Sequence, residues 1–482
     1  MKKSLLAIAA MTAFAGAAQA QSSVTIYGVM DVGIMGQSNS NMLNGSTGGT
    51  SAGYGGAGST SAPRNGNSFG FMQGGESASR LGFKGMEDIG GGSKVIFTLE
   101  QGVNTDNGSQ YASGLPGNGK TTVGMGNMSN TGDSSNQGQL FNRGAFAGVQ
   151  NDKYGTLTLG RQQTLMLDNI GGYDPVNAQQ FSPLAFSGQF GGGGTTDNAR
   201  ANGALKLKEK IMGFDVNALY APGGYAGNNG VGTRLEGQIG YETAKWGVQA
   251  LTSYQADATT LGGVTYGTGA AIGQAGYVVP GNATAATATA NASTIPTTAG
   301  TNQVNATVFN TRSATLTGKW APMDKLWLKA GFQYQNLGVP SNFQYVSGQP
   351  VLPNGSGFSV FSYQAALTPQ IKNTFWLGAN YDFTSAIKGS LGYYQQNVLQ
   401  NGASLDPAKA ATLGNPSGRI TFISAMGEYY LSKRTNLYAA ASQVNFTGSQ
   451  AAPSQAGSTT NGIQQSTINQ QFTYGLGMRH TF

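Results

Sequence analysis

Two glycine-rich stretches of this chain have the spacing that phosphate chemistry uses. Gly114-Leu115-Pro116-Gly117-Asn118-Gly119-Lys120-Thr121 fits the pattern in which backbone N–H groups and a helix terminus cradle phosphate. That chemistry needs an apolar strand before the loop and a helix after it. Here the flanks are Thr105-Asp106-Asn107-Gly108 and Gly124-Met125-Gly126-Asn127, so the match reads as loop composition. Gly53-Tyr54-Gly55-Gly56-Ala57-Gly58 fits a dinucleotide fingerprint with the same fault. His480 is the only histidine and there is no cysteine. A cluster of histidines for a metal, a thiolate site, a Cys/His nucleophile pair and a disulfide framework are therefore excluded. A Ser/His/acid triad would have to use His480, two places from the last residue. Asp168 and Asp174 have the types of a paired acid site. They read better as fixed charges set against basic residues. No enzyme activity, cofactor or metal is expected.

The elements that would position such charges are strands. Gln471 to Phe482 reads QFTYGLGMRHTF. Phe472, Tyr474, Leu476, Met478, His480 and Phe482 alternate with small or polar residues, and a period of two over this length is the signature of a membrane-spanning β-strand. At the other end, Lys2 and Lys3 precede an apolar run from Leu5 to Ala18, and Ala18-Gln19-Ala20 is an A-x-A site. This predicts a secretory signal peptide over 1–20, cleaved after Ala20, and one barrel over 21–482. Charged residues are 10 %, hydrophobic ones 39 %, and glycines number 76. No run of about 20 apolar residues follows the leader, so no transmembrane helix is predicted. An exported chain of alternating segments and polar, glycine-rich loops fits an outer-membrane barrel. Without Lys2 and Lys3 the 27 basic residues become 25 against 20 acids, and the net charge of +7 falls to +5, too weak to argue nucleic-acid binding.

Sixteen strands are predicted: 24–35, 78–87, 93–103, 140–150, 155–161, 200–211, 214–220, 232–243, 246–255, 310–320, 326–336, 373–383, 386–396, 419–431, 435–445 and 471–482. Short links alternate with long ones, including 36–77, 104–139, 256–309 and 446–470. Short periplasmic turns and long external loops are the pattern of these barrels, and sixteen strands leave a water-filled channel. Charges are costly on a lipid face. Parity then points Arg80, Lys84, Lys94, Arg200, Lys206, Lys208, Lys210, Arg234, Lys319, Lys329, Lys388 and Arg479 inward, with the acids Glu100, Asp215, Glu236 and Asp382. Trp246 and Trp320 fall on lipid faces near short turns. Trp327 and Trp376 fall on the other face, which suggests bulges or a shifted register there.

Several segments resemble the general porins of β-proteobacteria and neisserial-type bacteria. They are Ser22-Ser23-Val24-Thr25-Ile26-Tyr27-Gly28-Val29-Met30-Asp31, Ser79-Arg80-Leu81-Gly82-Phe83-Lys84-Gly85 with Glu87-Asp88-Ile89-Gly90-Gly91-Gly92, Phe141-Asn142-Arg143, Gly155 to Gln162, and Tyr474 to Phe482. They occur in family order from 22 to 482. The resemblance implies a sixteen-stranded antiparallel transmembrane β-barrel, a homotrimer, whose third loop folds inward. That loop corresponds to 162–199, with Asp168, Asp174 and Asp197. It also implies wall arginines at the constriction, matched here by Arg80, Arg143 and Arg200. Parity groups Arg143 with Ala145, Ala147 and Val149 on the outward face. Either a bulge reverses the face there, or Arg143 is not a lumen residue. The loop is richer in glycine and apolar residues than usual, with Gly191–Gly194 and Phe181-Ser182-Pro183-Leu184.

Together these observations predict an outer-membrane porin of a Gram-negative cell. It would pass small hydrophilic solutes and ions by passive diffusion with a modest anion preference, its constriction set by Arg80, Arg143, Arg200, Asp168 and Asp174. Outer-membrane lipid and lipopolysaccharide would surround it. A substrate-specific channel, or an adhesin anchored by its barrel, are the alternative readings.

Overall fold

The computed structural model describes residues 23–41, 65–105, 108, 140–184, 199–222, 233–256, 260–261, 306–307, 310–338, 344–346, 349–351, 370–401, 417–448 and 470–482. The leader, both phosphate-type motifs, and 185–198 with Asp197 lie outside them.

In chain order the strands are β1 (Ser23–Asn41), β2 (Asn65–Gln73), β3 (Arg80–Gly90), β4 (Ser93–Gly102), β5 (Gly144–Asn151), β6 (Gly155–Gln163), β7 (Arg200–Ile211), β8 (Phe214–Ala221), β9 (Arg234–Glu242) and β10 (Trp246–Gln255). They continue as β11 (Thr260–Leu261), β12 (Ala306–Thr307), β13 (Asn310–Met323), β14 (Leu326–Gly338), β15 (Gln344–Val346), β16 (Gln349–Val351), β17 (Gln370–Asp382), β18 (Ile387–Asn401), β19 (Gly418–Tyr430), β20 (Thr435–Gly448) and β21 (Gln470–Thr481). One helix, α1 (Leu165–Tyr173), follows β6. The pairs β11–β12 and β15–β16 form separate two-stranded sheets. The other seventeen strands form one antiparallel sheet, and it closes through β1 pairing with β21 from Val29↔Thr481 to Gln37↔Thr473.

Seventeen strands make sixteen staves. On one edge of β1, Val32–Asn41 pairs with β2 and Ser23–Val29 pairs with β3. β2 and β3 are thus two halves of the second stave, interrupted at 74–79. The sequence placed 36–77 in a loop; it contains β2 and the extension of β1 to Asn41. β2 reads NGNSFGFMQ, and only Phe69 and Phe71 alternate clearly. At the predicted strand 140–150, pairing starts at Gly144 instead, because Phe141 takes φ 57° and the chain turns before the strand.

The two faces of the sheet differ as the lipid-cost argument requires. Leu235, Ile239, Leu316, Leu391 and Leu476 are exposed on one side, while Thr317, Gln333, Thr374 and Ser442 are buried on the other. The four inward strand acids each meet a base from the same predicted face: Glu100 with Arg80, Asp215 with Lys210, Glu236 with Arg234, and Asp382 with Lys388. Trp246 lies directly opposite Trp320, both exposed beside short turns. Tyr241 stands 5.5 Å from Trp246 and 5.2 Å from Phe214, extending an aromatic row. Trp376 is not displaced by a bulge. The β14–β17 register is continuous through it, and its indole donates to the Tyr173 carbonyl at 3.1 Å. An aromatic faces the polar side there because it anchors the chain after α1. Trp327 shares a face with Lys329 on the same continuous register, and the Lys319 ammonium lies 5.7 Å from its ring.

Candidate pore constriction

Glu100 on β4 gathers the wall arginines. Arg143 Nε meets its carboxylate at 2.7 Å and Arg80 Nε at 3.6 Å, and the Tyr27 hydroxyl donates to it at 3.0 Å. Arg200 Nε donates to the Arg143 carbonyl at 3.0 Å. The three arginines therefore stand together, carried by β3, the approach to β5, and β7. Arg143 reaches this group because it precedes β5, so strand parity does not govern it. The buried Asn142 fixes that approach by accepting from Gly102 N at 2.8 Å, and the Gln101 side chain accepts from Phe141 N at 2.6 Å.

The acids bond partners other than the arginines. Thr164 caps α1, its hydroxyl accepting from Leu167 N at 3.2 Å. The Glu236 carboxylate accepts from Leu165 N at 2.6 Å, adding negative charge at the helix start. Asp168, in the first turn, pairs with Lys206 and Lys208 at 2.5 Å each. These lysines project from adjacent same-face positions of β7 and reach the acid before any arginine does. Asp174, the C-cap, is fully buried. It accepts from the Ser182 hydroxyl at 2.5 Å, the Tyr394 hydroxyl at 2.6 Å and Val176 N at 3.2 Å. Burial raises its carboxyl above the usual range, and the Ser182 and Tyr394 hydroxyls oppose the rise. Asp174 therefore ties the segment together rather than presenting a charge to solvent.

Segment 164–184 runs along the polar face of the sheet. Asn169 donates to Thr317 at 3.0 Å, Lys329 to the Asp174 carbonyl at 3.0 Å, and Tyr394 holds Asp174 from β18. Leu165, Met166, Ile170, Phe181 and Leu184 are buried along it.

Beyond β18 the segment meets the break in the second stave. Gln179 N and Gln180 N donate to the carbonyls of Glu76 and Gly75 at 2.9 and 3.0 Å, and the Gln179 side chain accepts from Ala78 N at 3.0 Å. The break is itself held by Asp31 on β1. Its carboxylate accepts from Glu76 N, Ser77 N and the Tyr438 hydroxyl at 3.0, 2.7 and 2.6 Å. Asn436 donates to Glu76 at 2.7 Å and Arg479 to Ser77 at 2.9 Å. Asp31, Glu76, Tyr394 and Tyr438 escaped the sequence reading. A lone carboxylate inside the apolar run of β1, and the Gly74-Gly75 pair, were the available signals. His480 lies apart from this site, bonded to Thr435 Oγ1 at 2.9 Å and stacked on Phe482.

These features have relatives. An outer membrane porin protein of Bordetella pertussis is 34% identical over 37% of this chain and 38% of its own. Outer membrane porin protein 32 of Delftia acidovorans is 30% identical over 46% of this chain and 50% of its own. The matched stretches thus span half or less of these relatives' length. Among solved structures, the anion-selective porin from Comamonas acidovorans superposes with a TM-score of 0.57, 18% identity, 96% of this chain and 100% of that one. OmpTdeltaL8, a loop-deletion mutant of an outer membrane protein of Vibrio cholerae, gives 0.53 at 13% identity over 96% and 99%. Residues 7–449 match the Gram-negative porin family, and the chain belongs to that family, as a sixteen-stave outer-membrane barrel.

Proposed function

We propose that the protein is a passive channel for small hydrophilic solutes and ions, a conduit rather than an enzyme. One observation carries the reading: a closed sheet with apolar side chains exposed on one face and charged and amide side chains on the other. Such a sheet needs lipid outside and water inside. Segment 164–184 narrows the lumen, with Arg80, Arg143 and Arg200 on one wall and Asp168 on the helix. Asp174 holds the segment in place.

A modest anion preference follows from the excess of bases over acids on the polar face. Screening over roughly 8–10 Å keeps it modest. The relative named as anion-selective has the same fold. Signal-peptide removal after Ala20, surrounding lipid and lipopolysaccharide, and a homotrimer complete the proposal; the trimer rests on the family resemblance. Reconstitution in planar bilayers tests it. Single-channel steps with a reversal potential favouring anions in a salt gradient are expected; no conductance, or clear cation selectivity, would overturn it. The described residues give no observation favouring the adhesin reading.

A further inference from the structure

Three rows of the polar face run across β13, β14, β17 and β18 at α1. Thr317, Trp376 and Tyr394 form the row that receives Asn169, Tyr173 and Asp174. Thr315, Gln333, Thr374 and Gln396 form the next, where the Gln333 amide donates to Thr315 and to Met166 Sδ. One step further from the short turns, Lys372 lies directly opposite Gln335. This row stands beside α1 on the side where β14 ends and β17 begins.

Lys372 is buried, and it makes no hydrogen bond or ion pair among the described residues. Among the described residues the amide nitrogen and oxygen of Gln335 are both buried without a partner, and so is the Gln333 amide oxygen. Burying an ammonium and an amide with nothing to satisfy them is costly, and the groups gain most from a bound anion. The β17–β18 register shifts at this point. Ile371 pairs with Gln400 and Lys372 with Val398, leaving Leu399 unmatched. A bulge of this kind re-aims side chains beside a site. Lys372 and the Gln335 amide N–H groups offer positive charge and donors. The oxygens of Gln335 and Gln333 ask for donors in return. A halide would satisfy only the first set. An oxyanion with its own hydroxyl satisfies both.

We propose that Lys372 and Gln335 form a binding subsite for a small hydroxyl-bearing oxyanion of the phosphate class, on the long-loop side of α1. This deepens, and rests on, the channel reading: solute would pause here before passing the helix towards Lys329 and Lys319.

Isothermal titration calorimetry of the detergent-folded full chain with inorganic phosphate at pH 6 tests it. Saturable binding is expected, with sulfate weaker because it lacks a hydroxyl. Lys372→Met should weaken phosphate binding by about tenfold or more, the scale of a lost hydrogen bond to a charged group. Gln335→Leu should weaken it severalfold and keeps the test standing should Lys372→Met misfold. Lys433→Met, in a short turn, should leave it unchanged. Absence of saturable heat, or equal affinity in Lys372→Met, Gln335→Leu and wild type, would overturn the subsite. Binding is read without ion flow, so a protein that binds phosphate yet passes no current would sink the channel reading alone.

Discussion

Phe482 and Gly28 exchange both of their backbone hydrogen bonds, each 3.1 Å long. The last residue of the chain is therefore paired within the first strand, and its ring occupies the space where a Cβ on residue 28 would stand. Deleting Phe482 removes two ladder bonds at the seam, each worth on the order of 1 kcal/mol, and an aromatic at the membrane boundary. The folded, heat-modifiable form on cold gels should fall sharply while the unfolded chain persists. Undiminished folding would remove Phe482 from any role in closure.

Charge reversal at the arginine group should redirect the current. Arg80→Glu with Arg200→Glu replaces the base paired with Glu100 and the base bonded to the Arg143 carbonyl. The reversal potential in a salt gradient is expected to move towards cation preference, and the effect should shrink at molar salt, where screening acts within about 3 Å. An unmoved potential would place the selective charges elsewhere.

The Tyr394–Asp174 bond anchors the segment to the wall across 220 positions of sequence. Tyr394→Phe leaves a buried carboxylate short of one donor, a loss of roughly 1.5–3 kcal/mol for a bond to a charged group. Single-channel conductance should rise and become noisier if the segment narrows the pore. A quiet, unchanged conductance in the folded variant would mean that the narrowing lies outside 164–184.

Glu76 supplies a pH dependence. Burial lifts its carboxyl from 4.5 to about 7, against the opposing pull of Asn436 and Arg479. The folded protein thus holds a proton that the unfolded chain has released between these values. Stability from this group is fully present below pH 4.5 and declines as pH rises to about 7, then levels off. Melting of the detergent-folded protein between about pH 5 and pH 8 should show this slope, and Glu76→Gln should flatten it. An identical slope in the variant would assign the proton to another group.

Most of the wall was legible because lipid enforces a period of two. In β10, WGVQALTSYQ, exposed and buried positions alternate, and only Leu251 and Thr252 carry a residue type at odds with their face. β2 was not legible, since its first four residues, Asn65-Gly66-Asn67-Ser68, hold no apolar side chain to alternate with the polar ones. Trp376 misled for a related reason: parity predicts which face a residue takes, while composition predicts only the commoner partner of that face. The arginines were legible as a set. The partners of Asp168 were not, because Lys206 and Lys208 reach it only through the path that α1 takes after Thr164, and that path is fixed by Glu236 and Thr317, far away in sequence.

The broken second stave has a consequence for biogenesis. Its link at 74–79 is fastened by Asp31 from the first strand and by Asn436, Tyr438 and Arg479 from the last two. Those groups come together only when the two ends of the chain meet. The docking surface for Gln179 and Gln180 cannot exist before then. The seat of segment 164–184 is thus built from the same groups that join the two ends of the chain.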